Sequence, residues 1–544
     1  MARNKLIAFT CAAVMACTLF AGCGSSSAGN SQDLSVSQNS ASVSASSISK
    51  ETETTAASGT GDSASTAGEK HLNAALYWFG TSLDPATEYD GWTTCRAGIT
   101  ETLVTVDKNY ELQPLLADSW KQTDDTTWVF HIRDGVTFQD GTPVDAAACK
   151  ASLERAMQVQ ERAVTAAKID TIEADGQNLT IKTTEPFGAF LANLSEPLYS
   201  IIKVGDDQDY ADKPIGTGPF MVTDFTVNEK IDEVKYDGYW NGASDIDSIT
   251  ITCIEDDSTR GLALQSGEQD IVQRVASTDI DTFANDSDYQ ALNTTGARIR
   301  LLLLNQSNEA LKDANVRKAL ADCIDYDSLV SILGSGVTVA GAPYPASAPY
   351  GYDDLDKQTY KPDEAKSLLE QAGYKDSDGD GIVDKDGKNL SLKITYSMGD
   401  YTTMLEAVQS MAKEAGIDIQ LNLADDITES EKNKDYDILC TNWQCLSTGD
   451  PQWFLDQLYK TDGSDNSMNY SNTDLDQIIS ELSNTFDTDG RQKLTIDAEK
   501  ILLQDTASIW LVGEKNYVVA NSKVQNITPY PIDYYFIDNK MSID

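Results

Sequence analysis

A chain of 544 residues is longer than one hydrophobic core usually supports, so two or three lobes are expected. Its 86 Asp and Glu against 41 Lys and Arg leave a formal net charge of −45, which argues against nucleic acid or an anionic membrane surface as partner, since both would repel it. Only His71 and His131 are available as imidazoles, too few for a histidine-built zinc or nickel site made by this chain alone.

The first 23 residues read as an export signal: Arg3 and Lys5, an apolar run over 6–20, then Ala21-Gly22-Cys23. A cysteine directly after small residues resembles a lipobox, so Cys23 is expected to be lipidated and to become the mature N-terminus, an ordinary cleaved signal being the alternative. No later run reaches the roughly 18 apolar residues that span a bilayer, so the expected attachment is a tether. Residues 24–70 are almost all Ser, Thr, Ala, Gly, Gln and Asn, too poor in apolar residues to pack, and read as a stalk such as a Gram-positive surface would need. The remaining cysteines, Cys95, Cys149, Cys253, Cys323, Cys440 and Cys445, form no CxxC pair and read as buried thiols, with one disulfide left open.

The folded part begins with a strand at 72–79, Leu83-Asp84-Pro85, and a polar-aromatic loop, Tyr89-Asp90-Gly91-Trp92. Over 117–143 a polar turn precedes alternation of Trp128, Phe130 and Ile132, then Asp134-Gly135, then Val136 and Phe138, which predicts a hairpin about Asp134-Gly135. A helix over 143–157 with Pro143 in its first turn follows. A second hairpin is expected about Asp175-Gly176, a short helix over 187–193, a turn at Gly216-Thr217-Gly218-Pro219-Phe220, and strands at 249–254 and 298–305, the last an apolar run, RIRLLLLN. A helix over 362–373 carries Ala365, Leu368, Leu369 and Ala372 on one face and stops at Gly373. Strands at 390–396 and 417–423 bracket a helix over 403–415, a βαβ pattern, and 507–513 is a further strand.

Several of these segments together resemble the family 5 bacterial extracellular solute-binding proteins, the peptide- and nickel-binding receptors of ABC importers. The segment 117–143 carries the family's signature; Thr100-Glu101-Thr102-Leu103-Val104, the 216–220 turn, Tyr236-Asp237-Gly238-Tyr239-Trp240, the 267–271 GEQDI run, Val316-Arg317-Lys318-Ala319-Leu320 and the 437–458 segment are similar to others. The resemblance implies an α/β, two-lobed periplasmic-binding-protein-like fold, type II and cluster C-like, with an extra subdomain in lobe I. The expected division is lobe I at 71–300, its subdomain at about 95–210, lobe II at 301–508, and a return to lobe I at 509–544, with 298–305 and 507–513 as the crossings. It also implies a monomeric, lipid-anchored extracytoplasmic receptor that closes on a small solute and hands it to ABC permease subunits, without a cofactor and without catalysis.

The resemblance places the ligand near Trp443, with Asn442 and Asp450 beside it and Tyr89, Asp90, Trp92 and Thr217 approaching from lobe I. Where peptide-binding members carry an Asp three residues after that tryptophan, this chain has Leu446; arginines and a histidine matching the nickel-chelate members are not placed either. Oligopeptide uptake is the main expectation, a nickel or other metal chelate or an oligosaccharide the alternative, and a surface glycoside hydrolase the reading from another class. No GxxxxGK[ST] or GxSxG is present, which argues against nucleotide binding and a serine hydrolase. Asp376, Asp378 and Asp380 resemble the start of an EF-hand loop, but its twelfth position is Gly387; an acidic surface turn is the expectation and calcium the alternative.

Overall fold

The apolar run at 298–305 lies in the strand that ties the chain's two halves together. The structure, a computed structural model, describes residues 68–397 and 401–544; Cys23 and all but the last three positions of the expected stalk lie outside the described residues. With lobe I, its subdomain and lobe II taken at the divisions expected above, strand β1 (His71–Leu76) and helix α1 (Asp90–Arg96) open lobe I, and β2 (Ala117–Asp124), β3 (Thr127–Ile132), α2 (Ala146–Val159), β4 (Ile169–Asp175) and β5 (Asn178–Thr183) fall in the subdomain. Strands β6 (Phe220–Thr226), β7 (Lys230–Lys235), β8 (Ser248–Cys253) and β9 (Ile271–Gln273) return to lobe I, and β10 (Tyr289–Leu304) crosses to lobe II. Lobe II adds β11 (Ser391–Tyr396), α3 (Thr402–Glu414), β12 (Asp418–Leu423), β13 (Ile438–Gln444), α4 (Thr473–Ser483) and α5 (Thr488–Asp505) before β14 (Ser508–Asn521) crosses back.

One eleven-stranded sheet runs through both lobes in the order β12-β11-β13-β10-β14-β9-β1-β8-β7-β6, with a short strand, Val337–Val339, added to β14. The expected βαβ unit is present, β11 and β12 lying parallel with α3 between them. Strands β10 and β14 pair antiparallel along most of their length and are both longer than the predicted crossings. Tyr289 to Thr295 face Asn521 to Lys515; the register then slips, and Ile299 faces Gly513. On the lobe II side of that slip Ile299, Leu301 and Leu303 enter one core and Leu302 and Leu304 another, so both faces of β10 are buried, which is why its sequence is apolar without alternation.

In the subdomain the order is β2-β3-β5-β4. Here the structure corrects the predicted hairpin: β3 turns back through 125–126 to pair with β2, and its other edge is taken by β5. With both edges occupied, Val136 and Phe138 cannot extend the ladder, and they enter the core from a loop. The following helix starts three residues later than expected, because the Asp145 carboxylate caps it by accepting from Ala148 N at 2.8 Å. All six cysteines of the folded part carry thiols, and no disulfide joins them.

The subdomain also touches lobe II. Gly188 N donates to Ser483 O at 2.8 Å, and the Trp128 and Phe486 rings lie 6.3 Å apart. Arg491 holds this contact, donating to Leu482 O at 2.6 Å and Thr485 O at 2.9 Å while its other nitrogens grip Asp450. A Cβ on Gly188 would fall 2.2 Å from Arg491 Nη1 and 2.4 Å from Thr485 O. Gly188→Ala is therefore expected to lower unfolding stability by about 1–3 kcal/mol, the cost of overpacking, measured by urea denaturation. An unchanged midpoint would mean the contact is not formed.

Candidate functional site

Where the subdomain, lobe I and lobe II meet, a cavity of about 200 Å³ opens between aromatic side chains. Trp92, on α1, packs on Tyr534 with ring centroids 5.0 Å apart, and Tyr89 packs edge-on against Trp92 at 5.3 Å. Across from them, the end of β13 presents Asn442, Trp443 and Gln444; Trp443 backs onto buried Phe454 at 6.0 Å. These rings give large apolar faces that can also attract a cation or stack on a planar ligand.

Two charged groups of opposite sign close the subdomain side. Arg162 Nη1 donates to Glu196 Oε1 at 3.0 Å, Trp92 Nε1 reaches the same oxygen at 3.3 Å, and the Arg162 guanidinium lies over the Tyr89 ring at 4.6 Å. The floor is made by Arg298 of β10. It donates to Asn442 Oδ1 through Nη1 and to Asp533 Oδ2 through Nη2 at 3.5 Å, while its Nε, buried, has no hydrogen-bond partner among the described residues. The Gln444 amide donates to Asp533 through Nε2, and its Oε1 is likewise unpartnered. Arg298 and Gln444 are cross-strand neighbours, and an unpartnered donor on one and acceptor on the other suit a polar ligand group, because an unmade bond at such a buried place is costly.

Asp533 organises the floor. Only 2% exposed, it also accepts from Tyr77 OH at 3.0 Å and Arg274 Nη2 at 3.1 Å, and Arg96 Nη2 lies 3.6 Å away. Burial alone would raise its pKa, but Arg298, Arg96 and Arg274 hold the carboxyl well below the usual carboxylate range. Glu514 does the same next door, bonding Arg300 Nε at 2.8 Å; burial works against its charge and Arg300, Arg274 and Arg298 overcome it.

Of the residues expected at the cleft, Tyr89, Trp92, Asn442 and Trp443 line this cavity together. Three others are placed elsewhere. Asp90 is buried and holds the preceding turn, accepting from Ser82 Oγ at 2.6 Å and Thr81 N at 3.0 Å. Thr217 is fully buried in its turn. Asp450 accepts from Arg491 Nη2 at 2.7 Å and Nε at 3.0 Å, and from Gln452 N at 2.9 Å, so its carboxylate is committed to the Arg491 contact and a local helix start. Leu446 is fully buried. Asp376, Asp378 and Asp380 sit on an exposed loop with carboxylate oxygens within 4.8 Å of one another, each accepting loop N–H groups. Arg162, Glu196, Arg298 and Tyr534 were not anticipated as cleft residues. Arg298 and Arg300 did leave a signal, two arginines at alternate positions leading into a run of four leucines.

Comparison with known proteins places this geometry. Residues 111–466, more than half of the chain, match the family described as bacterial extracellular solute-binding proteins, family 5 middle. The chain belongs to this family. It is 29% identical over 494 residues to the nickel-binding protein NikA of Staphylococcus aureus, spanning 90% of this chain and 96% of the relative. The glutathione-binding protein GsiB of Escherichia coli K12 is 27% identical over 478 residues, spanning 83% and 90%. A crystal structure titled as a nickel ABC transporter from Bacillus halodurans superposes with a TM-score of 0.76 at 35% identity, covering 87% of this chain and all of that one. This family 5 protein thus has the two-lobed type II fold and is an extracytoplasmic substrate-binding receptor of an ABC importer, not an enzyme. Among the described residues no helix is long and apolar enough to cross a membrane.

The Asp533 cluster gives the receptor a defined acid response. An unfolded aspartate titrates near ~3.9 and the folded one lower, so Asp533 adds stability above about pH 4 that is lost as pH falls below it. Asp533→Asn, which leaves three guanidinium groups facing a neutral amide, is expected to cost about 3–5 kcal/mol at pH 7, with the gap to wild type narrowing below about pH 4. Thermal unfolding at stepped pH measures it; a gap independent of pH would remove Asp533 from the charge balance.

Proposed function

We propose that this receptor captures a small carboxylate-bearing metal chelate, of the size of a metal ion dressed in amino acids, in preference to a long peptide. The observation that carries the reading is the cavity itself: about 200 Å³, below the ~300–1,000 Å³ usual for drug-sized ligands, with aromatic walls and a floor to which Arg298 and Gln444 contribute, each keeping a buried polar atom without a hydrogen-bond partner among the described residues. A ligand carboxylate would pair with Arg298 while the rings of Trp92, Trp443 and Tyr534 cover its apolar faces. Among the described residues Glu196 is the single carboxylate on the wall and no His or Cys lines it, so a metal would arrive with its own ligands. The buried Leu446, where peptide receptors resemble one another in carrying an Asp, removes the expected anchor for a peptide amine. The nickel-binding relative and the nickel transporter structure point the same way.

In this reading the lobes close by bending β10 and β14 at the register slip between Thr295 and Ile299. The receptor acts as a monomer, tethered through a lipid on Cys23 by the 24–70 stalk at a Gram-positive surface, and hands its solute to permease subunits.

Titration calorimetry with nickel bis-histidine, free nickel, and peptides of two to nine residues tests the proposal. The chelate is expected to bind and free nickel to bind far more weakly. Arg298→Ala should weaken chelate binding by about tenfold or more, the loss of a charge-assisted bond, and Trp443→Ala comparably. Tight peptide binding with no response to the chelate would return the receptor to the oligopeptide class.

A further inference from the structure

A second cavity, of about 320 Å³, lies within lobe I between 98–107, 239–241 and the C-terminal segment 530–540. It shares no lining residue with the cleft: Tyr534 faces the cleft and its neighbour Tyr535 faces this cavity. Among the described residues its wall carries three carboxylates, Glu101, Asp107 and Asp538, against one base, the exposed Lys540. It also carries two aromatic pairs, Tyr239 with Trp240 at 5.7 Å between centroids and Tyr530 with Tyr535 at 5.2 Å.

We propose that this cavity is a second binding site, for a small organic cation bearing an ammonium group. Glu101 is 8% exposed, and the contacts that orient its carboxylate come from neutral donors: Tyr239 OH at 2.8 Å and Trp240 Nε1 at 3.1 Å. The Asp538 carboxylate accepts the backbone N–H groups of Lys540 at 2.8 Å and Met541 at 3.1 Å. Arg133 acts on Glu101 through space and is turned to the Trp240 ring at 4.4 Å and to Leu115 O, while Lys540 acts on Asp538. Burial pushes the Glu101 pKa up to about 7 and raises that of Asp538, so an ammonium seated between them would favour the ionised form of both. Aromatic faces beside a buried carboxylate, Glu101, and a half-buried one, Asp538, are the surroundings an ammonium needs once it leaves water, and an anion would be repelled from the same wall. The net charge of −45 concentrates cations around the protein and favours the encounter.

Calorimetry and thermal shift with choline and putrescine, and with acetate as the anionic control, test the site. Saturable binding of at least one of the two cations, with none of acetate, is expected. Glu101→Gln and Asp538→Asn should each weaken it about tenfold. Tyr535→Leu, outside the Glu101 hydrogen bonds, should weaken it too, which keeps the test valid if a carboxylate variant fails to fold. Trp443→Ala should leave cation binding unchanged. No saturation by either cation, or a loss produced by Trp443→Ala and by none of the three wall variants, would overturn the proposal.

Discussion

The cleft of this receptor depends on one buried carboxylate. Without Asp533, the guanidinium groups of Arg96, Arg274 and Arg298 would stand together out of water with Glu514 alone facing Arg274 and Arg298, and buried charge left without its partner is costly. With it, the arginines are fixed in place, and Arg298 keeps one buried N–H without a partner among the described residues. The charge balance of the fold and the readiness of the site are the same set of contacts. Because Asp533 belongs to the C-terminal segment and Arg298 to a crossing strand, the pocket floor is complete only when the last stretch of chain has returned to lobe I.

How much of this could be read from the residues follows from how local the determinants are. The family motifs, the strands and helix of the βαβ unit of lobe II and the apolar crossing strand were legible because each rests on a pattern local to one segment of chain. The hairpin about Asp134-Gly135 was misread because pairing is decided by which edges remain open, and β5, some fifty residues on, takes the edge that Val136 would have used. The cleft was half legible. Trp443 and Trp92 are marked by their motifs, but Arg162 and Glu196 are ordinary charges on the subdomain until the fold sets them 3.0 Å apart. Asp450 shows the opposite case, a residue in a family motif whose carboxylate the fold engages with Arg491.

The chain's acidity gains a structural meaning from where its charges lie. Cations and anions are paired at the centre, while many of the surplus carboxylates are exposed on loops such as 376–380. The outside repels polyanions, and the inside holds an arginine cluster suited to a carboxylate. In the proposed reading, discrimination among anions is a matter of reaching the floor, which the aromatic walls and the small volume restrict.

The two crossing strands are hydrogen-bonded neighbours in one sheet, not separate linkers. A two-stranded ribbon flexes across its face far more readily than within its own plane, since in-plane bending would stretch one strand against the other. In the proposed closure, a pair of lobes joined this way would have a single soft axis, like a door on a strap, so each swing would bring the same residues back into register without any search over orientations.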